Sequence, residues 1–166
     1  CQTLGPARMR PTSITLLLLV AIGSGFVYAD ESPATAPFSL RLSVGPSVVP
    51  PQSSPRLRLS VTNISPRPQR LLPPARYPSL YHLKVTRNGA PYDIGRPIID
   101  QPAPTDEDFL ILAPRQTVTF LVPAYISDFS DAPEGMYRVV LLLWPLWSTE
   151  LQWQSSPATF FIRRGA

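Results

Sequence analysis

From Phe38 the chain alternates. Phe38, Leu40, Leu42 and Val44 fall on one side of an extended backbone and Ser39, Arg41 and Ser43 on the other, the two-residue period of a half-buried strand. After a turn-rich connection over 45–55 the pattern repeats, with Leu57, Leu59 and Val61 set against Arg56, Arg58, Ser60 and Thr62, and the segment 63–68 ends it. A third run, 80–87, turns Tyr81, Leu83 and Val85 inward and His82, Lys84 and Thr86 outward. Asn88-Gly89 then predicts a tight hairpin with a return over 90–94. Further strands are expected at 109–112, at 117–122 with Val118, Phe120 and Val122 inward, at 136–144 and at 158–163. Between them, 67–78 reads as a loop or edge segment, 95–108 as an acidic proline-rich loop, and 123–133 as irregular with one short helical turn around 126–131. No internal repeat is visible.

Composition sharpens this picture. The 22 prolines break up every stretch long enough for repeated helices, because a proline in a helix interior costs about 3 kcal/mol. From Asp30 onward the longest proline-free run, 79–90, has twelve residues. Helix bundles, coiled coils and doubly wound α/β folds are thereby excluded. A chain that is 44% hydrophobic and 10% aromatic is not a solvated one either. Seven or eight short strands joined by proline and glycine turns predict an all-β, antiparallel immunoglobulin-like β-sandwich.

The segment before Phe38 has a different character. Met9-Arg10, the apolar run Ile14–Ile22 and the sequence Val27-Tyr28-Ala29 before Asp30 match the parts of a signal peptide. The expected organisation is upstream translated residues at 1–8, a signal peptide at 9–29, a tether at 30–37 and one domain at 38–166. Gly23-Ser24-Gly25 interrupts the apolar run, so no stable membrane span is expected after cleavage. Cutting 29 residues from 166 leaves 137, without the single Cys1 and without Arg8 and Arg10. The remaining basic and acidic residues nearly balance, so the positive net charge is no nucleic-acid footprint and no nucleic-acid partner is expected. Export places the domain in the periplasm or outside the cell, and its arginine-rich composition suggests a bacterial envelope protein.

Three stretches, Leu57-Arg58-Leu59-Ser60-Val61-Thr62-Asn63-Ile64-Ser65, Leu112-Ala113-Pro114-Arg115-Gln116 and Pro133-Glu134-Gly135-Met136-Tyr137-Arg138-Val139, together resemble the successive strand signatures of bacterial immunoglobulin-like domains. In order and spacing they are most similar to the BsuPI type, named for an intracellular proteinase inhibitor. The resemblance spans about 38–162 and carries no reactive-site residue with it. On physical grounds Asn63 is expected to close its strand as an Asx turn. Tyr137, after the Gly135 turn, is expected to act as a tyrosine corner.

Candidate chemistry is thin. His82 is the one histidine, placed outward beside Lys84, and no Gly-x-Ser-x-Gly elbow supplies a nucleophile. Asp106, Glu107 and Asp108 form an acidic loop that could offer oxygen ligands to calcium, with Asp128 and Asp131 as a second acidic pair, but the order of a calcium loop is missing. Solvated acidic loops are the simpler reading, and a hydrolase using those carboxylates lacks any fixed geometry. No cofactor is expected. The feature that stands out is 139–153. Tyr137, Val139, Leu141 and Leu143 line one face of a strand whose other face carries Val140, Leu142 and Trp144, and Trp147 and Trp153 follow. Two readings stand: loop 67–78 or segment 123–133 folds over the outer face and buries the tryptophans, or Val140, Leu142, Trp144, Trp147 and Trp153 are contacts for a protein or an envelope polysaccharide. The function expected is a non-enzymatic exported binding or accessory module. The alternatives are a BsuPI-like proteinase inhibitor inserting the proline-stiffened segment 67–78, and a chaperone that pairs a strand edge with a client.

Overall fold

A computed structural model of the chain describes residues 36–95, 100–145 and 152–163. The expected signal peptide at 9–29, the residues upstream of it, most of the tether and Trp147 lie outside the described residues.

Eleven strands form among the described residues, more than the seven or eight expected, because three connections hold strands of two to four residues. In chain order they are β1 (Phe38–Gly45), β2 (Val48–Val49), β3 (Arg56–Asn63), β4 (Gln69–Leu71), β5 (Tyr81–Arg87), β6 (Ala90–Tyr92), β7 (Leu110–Leu112), β8 (Thr117–Leu121), β9 (Gly135–Leu143), β10 (Trp153–Ser156) and β11 (Ala158–Ile162). The long strands follow the alternation of the sequence. Leu57, Leu59 and Val61 of β3 are fully buried while Arg56 and Arg58 are exposed. Tyr137, Val139 and Leu141 of β9 are buried to the same degree.

One sheet runs β1-β3-β8, and a second runs β2-β11-β9-β5-β6. Their inward side chains merge into one core, so the molecule is an all-β sandwich. The pairing is mixed rather than antiparallel throughout. β2 runs parallel to β11, and β10 runs parallel to β1 while its first residues pair antiparallel with β9. β10 and β11 are one strand carrying a bulge. The register against β9 slips by one residue between Gln154, opposite Leu142, and Ala158, opposite Val139. At the slip Ser155 Oγ accepts the Leu141 N–H at 2.9 Å, replacing a ladder carbonyl, and Ser155 and Ser156 are released to pair with Leu40 and Arg41. In this way β10 joins the two sheets.

The turns use the chemistry their sequences offer. Asn88 (φ 50°) and Gly89 (φ 86°) are both left-handed, as a two-residue hairpin between twisted strands requires. Ala113-Pro114-Arg115-Gln116 is a turn closed by Gln116 N–H to Ala113 O at 3.0 Å, with Arg115 held at φ 64°. The segment 123–133 is a chain of turns and contains no helix, contrary to the expected helical turn. Its Ile126, Phe129 and Ala132 close one end of the core. Among the described residues no helix is long and apolar enough to cross a membrane.

Candidate functional site

The site elements rest on two anchors that the sequence singled out. Asn63, at the end of β3, is fully buried and makes four bonds. Its Nδ2 donates to Arg67 O (2.8 Å) and Leu112 O (2.9 Å), and its Oδ1 accepts from Ser65 N–H (2.9 Å) and Ser65 O–H (2.8 Å). The expected Asx turn is therefore present, with a tie to β7 added. Tyr137, fully buried at the start of β9, donates from its hydroxyl to Pro133 O at 2.5 Å, the backward bond of a tyrosine corner. Its ring stacks on Phe160 and meets Phe129 and Tyr92 edge-on. Burial pushes its hydroxyl pKa up. Gly135 sits where the β5–β6 hairpin passes. A Cβ there would lie 2.9 Å from Arg87 Nε, whose guanidinium donates to Glu134 O.

These anchors fix β9, and β9 sorts the four described residues of the expected contact set into different places, Trp147 lying outside the described residues. Trp153 is core: 8% exposed, it meets the Phe38 ring edge-on at 5.6 Å. Trp144 is 37% exposed at the end of β9, where its N–H donates to Leu80 O. Leu142 is buried at 6% and Val140 is half-buried, both on the outer side of the sheet. Val140, Leu142, Trp144 and Trp153 therefore do not form one face. The reason is strand parity: the bulge restores alternation in β10, so Trp153 points inward, opposite Leu143.

Two depressions result. Trp144 lines the mouth of a small apolar cleft of about 30 Å3 with Phe38, Leu72, Leu80, Phe109 and Trp153, and Arg70 stands over Phe109, 3.9 Å from its ring centre. On the outer face of the second sheet, Val140 floors a hollow of about 140 Å3 whose walls are Lys84, Thr86, Arg138 and Gln154. The register explains it, since Lys84 stands opposite Val140 and Thr86 opposite Arg138. A feature missed from sequence completes this face. Val48, Phe161 and Met136 stand side by side across β2, β11 and β9, each 38–43% exposed. Single exposed apolar residues carry no signal in a sequence, and only the parallel β2–β11 pairing brings these three into a row. The outward residues of β5, β9, β10 and β11 include Lys84 and Arg138 but no carboxylate.

The acidic loop is occupied by its own chain. Asp106 pairs with Arg70 at 2.5 Å, and Asp108 with Arg76. Asp108 also accepts from Thr105 N–H, Thr105 O–H and Tyr77 O–H. The Thr105 N–H above all, then the Tyr77 and Thr105 hydroxyls, hold its carboxyl down at about 2. The loop thus clamps 70–77 through Asp106 and Asp108, while the Asp106 side chain, 94% exposed, and Glu107 stay in water as a solvated loop would. Asp128 accepts from Ser130 N–H and Ser54 O–H and lies with Asp131 beside Asp93, in a hollow separate from the Asp106–Asp108 loop. Among the described residues no group of three His, Cys, Asp or Glu is placed to hold a metal ion. His82 is half-buried on the outer face, opposite Leu142. The segment 67–78, expected as a loop or edge segment and as the inserting part of an inhibitor, is an edge segment held at several points. β4 pairs with β7, Leu71, Leu72 and Tyr77 are buried, and Tyr81 O–H donates to Leu72 O.

No family and no curated protein matches the chain. Twelve chains of solved structures are similar to it. One is the alkylpurine DNA glycosylase AlkC of Pseudomonas fluorescens bound to DNA containing an abasic site analog, at 16% identity and a TM-score of 0.45, covering 78% of this chain and 31% of that one. Another is the E. coli chaperone DraB, at 19% identity and a TM-score of 0.35, covering 76% and 56%. A third is the CARDB domain of PF1109 from Pyrococcus furiosus in complex with di-metal ions, at 18% identity and a TM-score of 0.34, covering 77% and 89%. The chain thus spans less than a third of the glycosylase and about half of the chaperone.

Proposed function

We propose that this chain is an exported, non-enzymatic binding module of immunoglobulin-like type, and that it engages a protein or polysaccharide of the bacterial envelope through the outer face of β9 and the neighbouring Trp144. The strand order supports the immunoglobulin-like reading. β1-β3-β8 faces β2-β11-β9-β5-β6, β2 is parallel to the last strand, and a tyrosine corner opens β9. The BsuPI-type motifs lie on β3, on the turn before β8 and at the start of β9, the places that organise such a sandwich. Export rests on the apolar run Ile14–Ile22 and the Val27-Tyr28-Ala29 site.

The observation that carries the binding role is the two-sidedness of β9. Its inward residues are buried as a core strand's should be, yet Met136 and Trp144 on the outer side stay exposed and Val140 half-exposed, beside Val48 and Phe161. A sandwich strand facing water on one side normally carries polar residues there. Lys84 and Arg138 give this apolar strip a positive margin, which favours a partner bearing anionic groups.

The test is capture of envelope material by the purified chain, compared with Trp144→Ala and with the double variant Lys84→Glu, Arg138→Glu. Specific capture that falls at least tenfold in both variants, at unchanged melting temperature, supports the reading. Undiminished capture by both refutes it. Protease or periodate treatment of the captured material then separates a protein from a glycan.

A further inference from the structure

The first sheet ends at β8, and that edge is open. β8 pairs with β3 through Val118 and Phe120, in line with the Gln116 and Val122 bonds at its two ends. The N–H and C=O groups of the alternate residues, Thr117, Thr119 and Leu121, therefore point away from β3. Among the described residues nothing reaches those six groups with a hydrogen bond. The edge also lacks the usual protections. Thr117-Val118-Thr119-Phe120-Leu121 contains no charge and no proline, and its register against β3 is unbroken by a bulge. β7, which precedes it in the chain, turns away to pair with β4.

From this we infer that β8 is a self-association edge, through which two copies of the chain join their first sheets into one continuous sheet. The occupant is argued from the edge itself. Three outward-facing residues centred on Thr119 are self-complementary under a twofold axis. Thr119 faces Thr119 of the partner subunit and Thr117 faces the partner's Leu121, so each N–H meets a C=O and six hydrogen bonds form. The inner side gains as well: half-buried Val118 and Phe120 come opposite the partner's Phe120 and the partner's Val118. On the outer side Leu121, now 60% exposed, covers the partner's Thr117. The charged residue nearest in register, Arg58 opposite Leu121, lies toward the hydroxyls of the partner's Thr117 and the partner's Thr62, so no like charges oppose one another.

The experiment combines sedimentation equilibrium of the purified chain with hydrogen exchange at low and high protein concentration. The expected result is a concentration-dependent dimer. Amides of Thr117, Thr119 and Leu121 should gain at least tenfold protection at high concentration, whereas those of Val118 and Phe120, bonded to β3, are protected at both. Two variants bear on the edge alone. Leu121→Lys puts a charge on it, and Thr119→Pro removes an N–H that β3 does not use. Both should be monomeric. Leu121→Lys retains the surface backbone, so it keeps the test valid if Thr119→Pro fails to fold. A chain that is monomeric at high concentration overturns the proposal. So does a dimer that survives Leu121→Lys, or protection of Thr117, Thr119 and Leu121 that appears only when another protein is added.

Discussion

Replacing Asn63 by alanine removes four hydrogen bonds from a fully buried position, and the structure allows the cost to be worked out in advance. Two of them tie β3 to the 63–67 turn through Ser65, and two tie it to the carbonyls of Arg67 and Leu112. The single Ser65 hydroxyl proton is shared between Asn63 Oδ1 and Arg67 O, and with Oδ1 gone it turns wholly to Arg67 O, so that carbonyl is not orphaned by the change. A net contribution of about 1 kcal/mol per buried bond, reduced for that retained donor, gives a loss of about 3 kcal/mol. For a domain of this size that lowers the melting temperature by about 10 °C. Urea unfolding followed by tryptophan fluorescence measures it. Asn63→Asp tests the donors separately: it preserves the shape and the Oδ1 acceptor but turns a carboxylate oxygen toward two carbonyls, and it should cost at least as much. Ser65→Ala, losing partly exposed bonds, should cost about 1 kcal/mol. A loss under about 1 kcal/mol for Asn63→Ala, with the fold intact, would refute the reasoning that this network closes the sandwich.

Trp153→Ala should destabilise by about 3–5 kcal/mol because it empties core volume against Phe38. Trp144→Ala should stay within about 1 kcal/mol, and equal losses in thermal melts would contradict their assignment to core and surface. The acid limb of stability should carry Asp108. Its folded-state pKa lies near 2 against an ordinary 3.8, so its contribution is present above 3.8 and disappears as pH falls from there toward 2. Asp108→Asn should flatten the urea midpoint over that interval, and an unchanged slope would count against the clamp. Arg115→Gly should raise stability by about 0.5–1 kcal/mol, because Arg115 sits at φ 64° where only glycine is unstrained. A measured decrease would mean that the arginine side chain has a role its surroundings do not reveal.

What the sequence made legible is local. Alternation alone located β1, β3, β5, β8, β9 and β11, and Asn88-Gly89 set the β5–β6 hairpin. Asn63 and Tyr137 could be read because their bonds close over two to four residues. The failures are all long-range. β2 and β4 are too short to show a period, and each is defined by a partner strand far along the chain. β10 has only four residues, too few to show a period, which hid it and left the facing of Trp153 undetermined, since a bulge shifts parity by one residue. The pairing of the acidic loop could not be read because the arginines that meet it, Arg70 and Arg76, precede it by about thirty residues. The apolar row Val48, Phe161 and Met136 comes from three strands and leaves no pattern in any one of them.

The claim that the outer face of β9 is the working surface can be tested most directly by hydroxyl-radical footprinting of the purified chain with and without envelope material. Met136, Trp144 and Phe161 are exposed and should be modified readily in the free chain, whereas Trp153 should react slowly throughout. Binding is predicted to cut the rates at Met136, Trp144 and Phe161 at least severalfold and to leave exposed Tyr125, in the turns of 123–133, unchanged. Unaltered rates at Met136, Trp144 and Phe161 under conditions where material is bound would contradict the account.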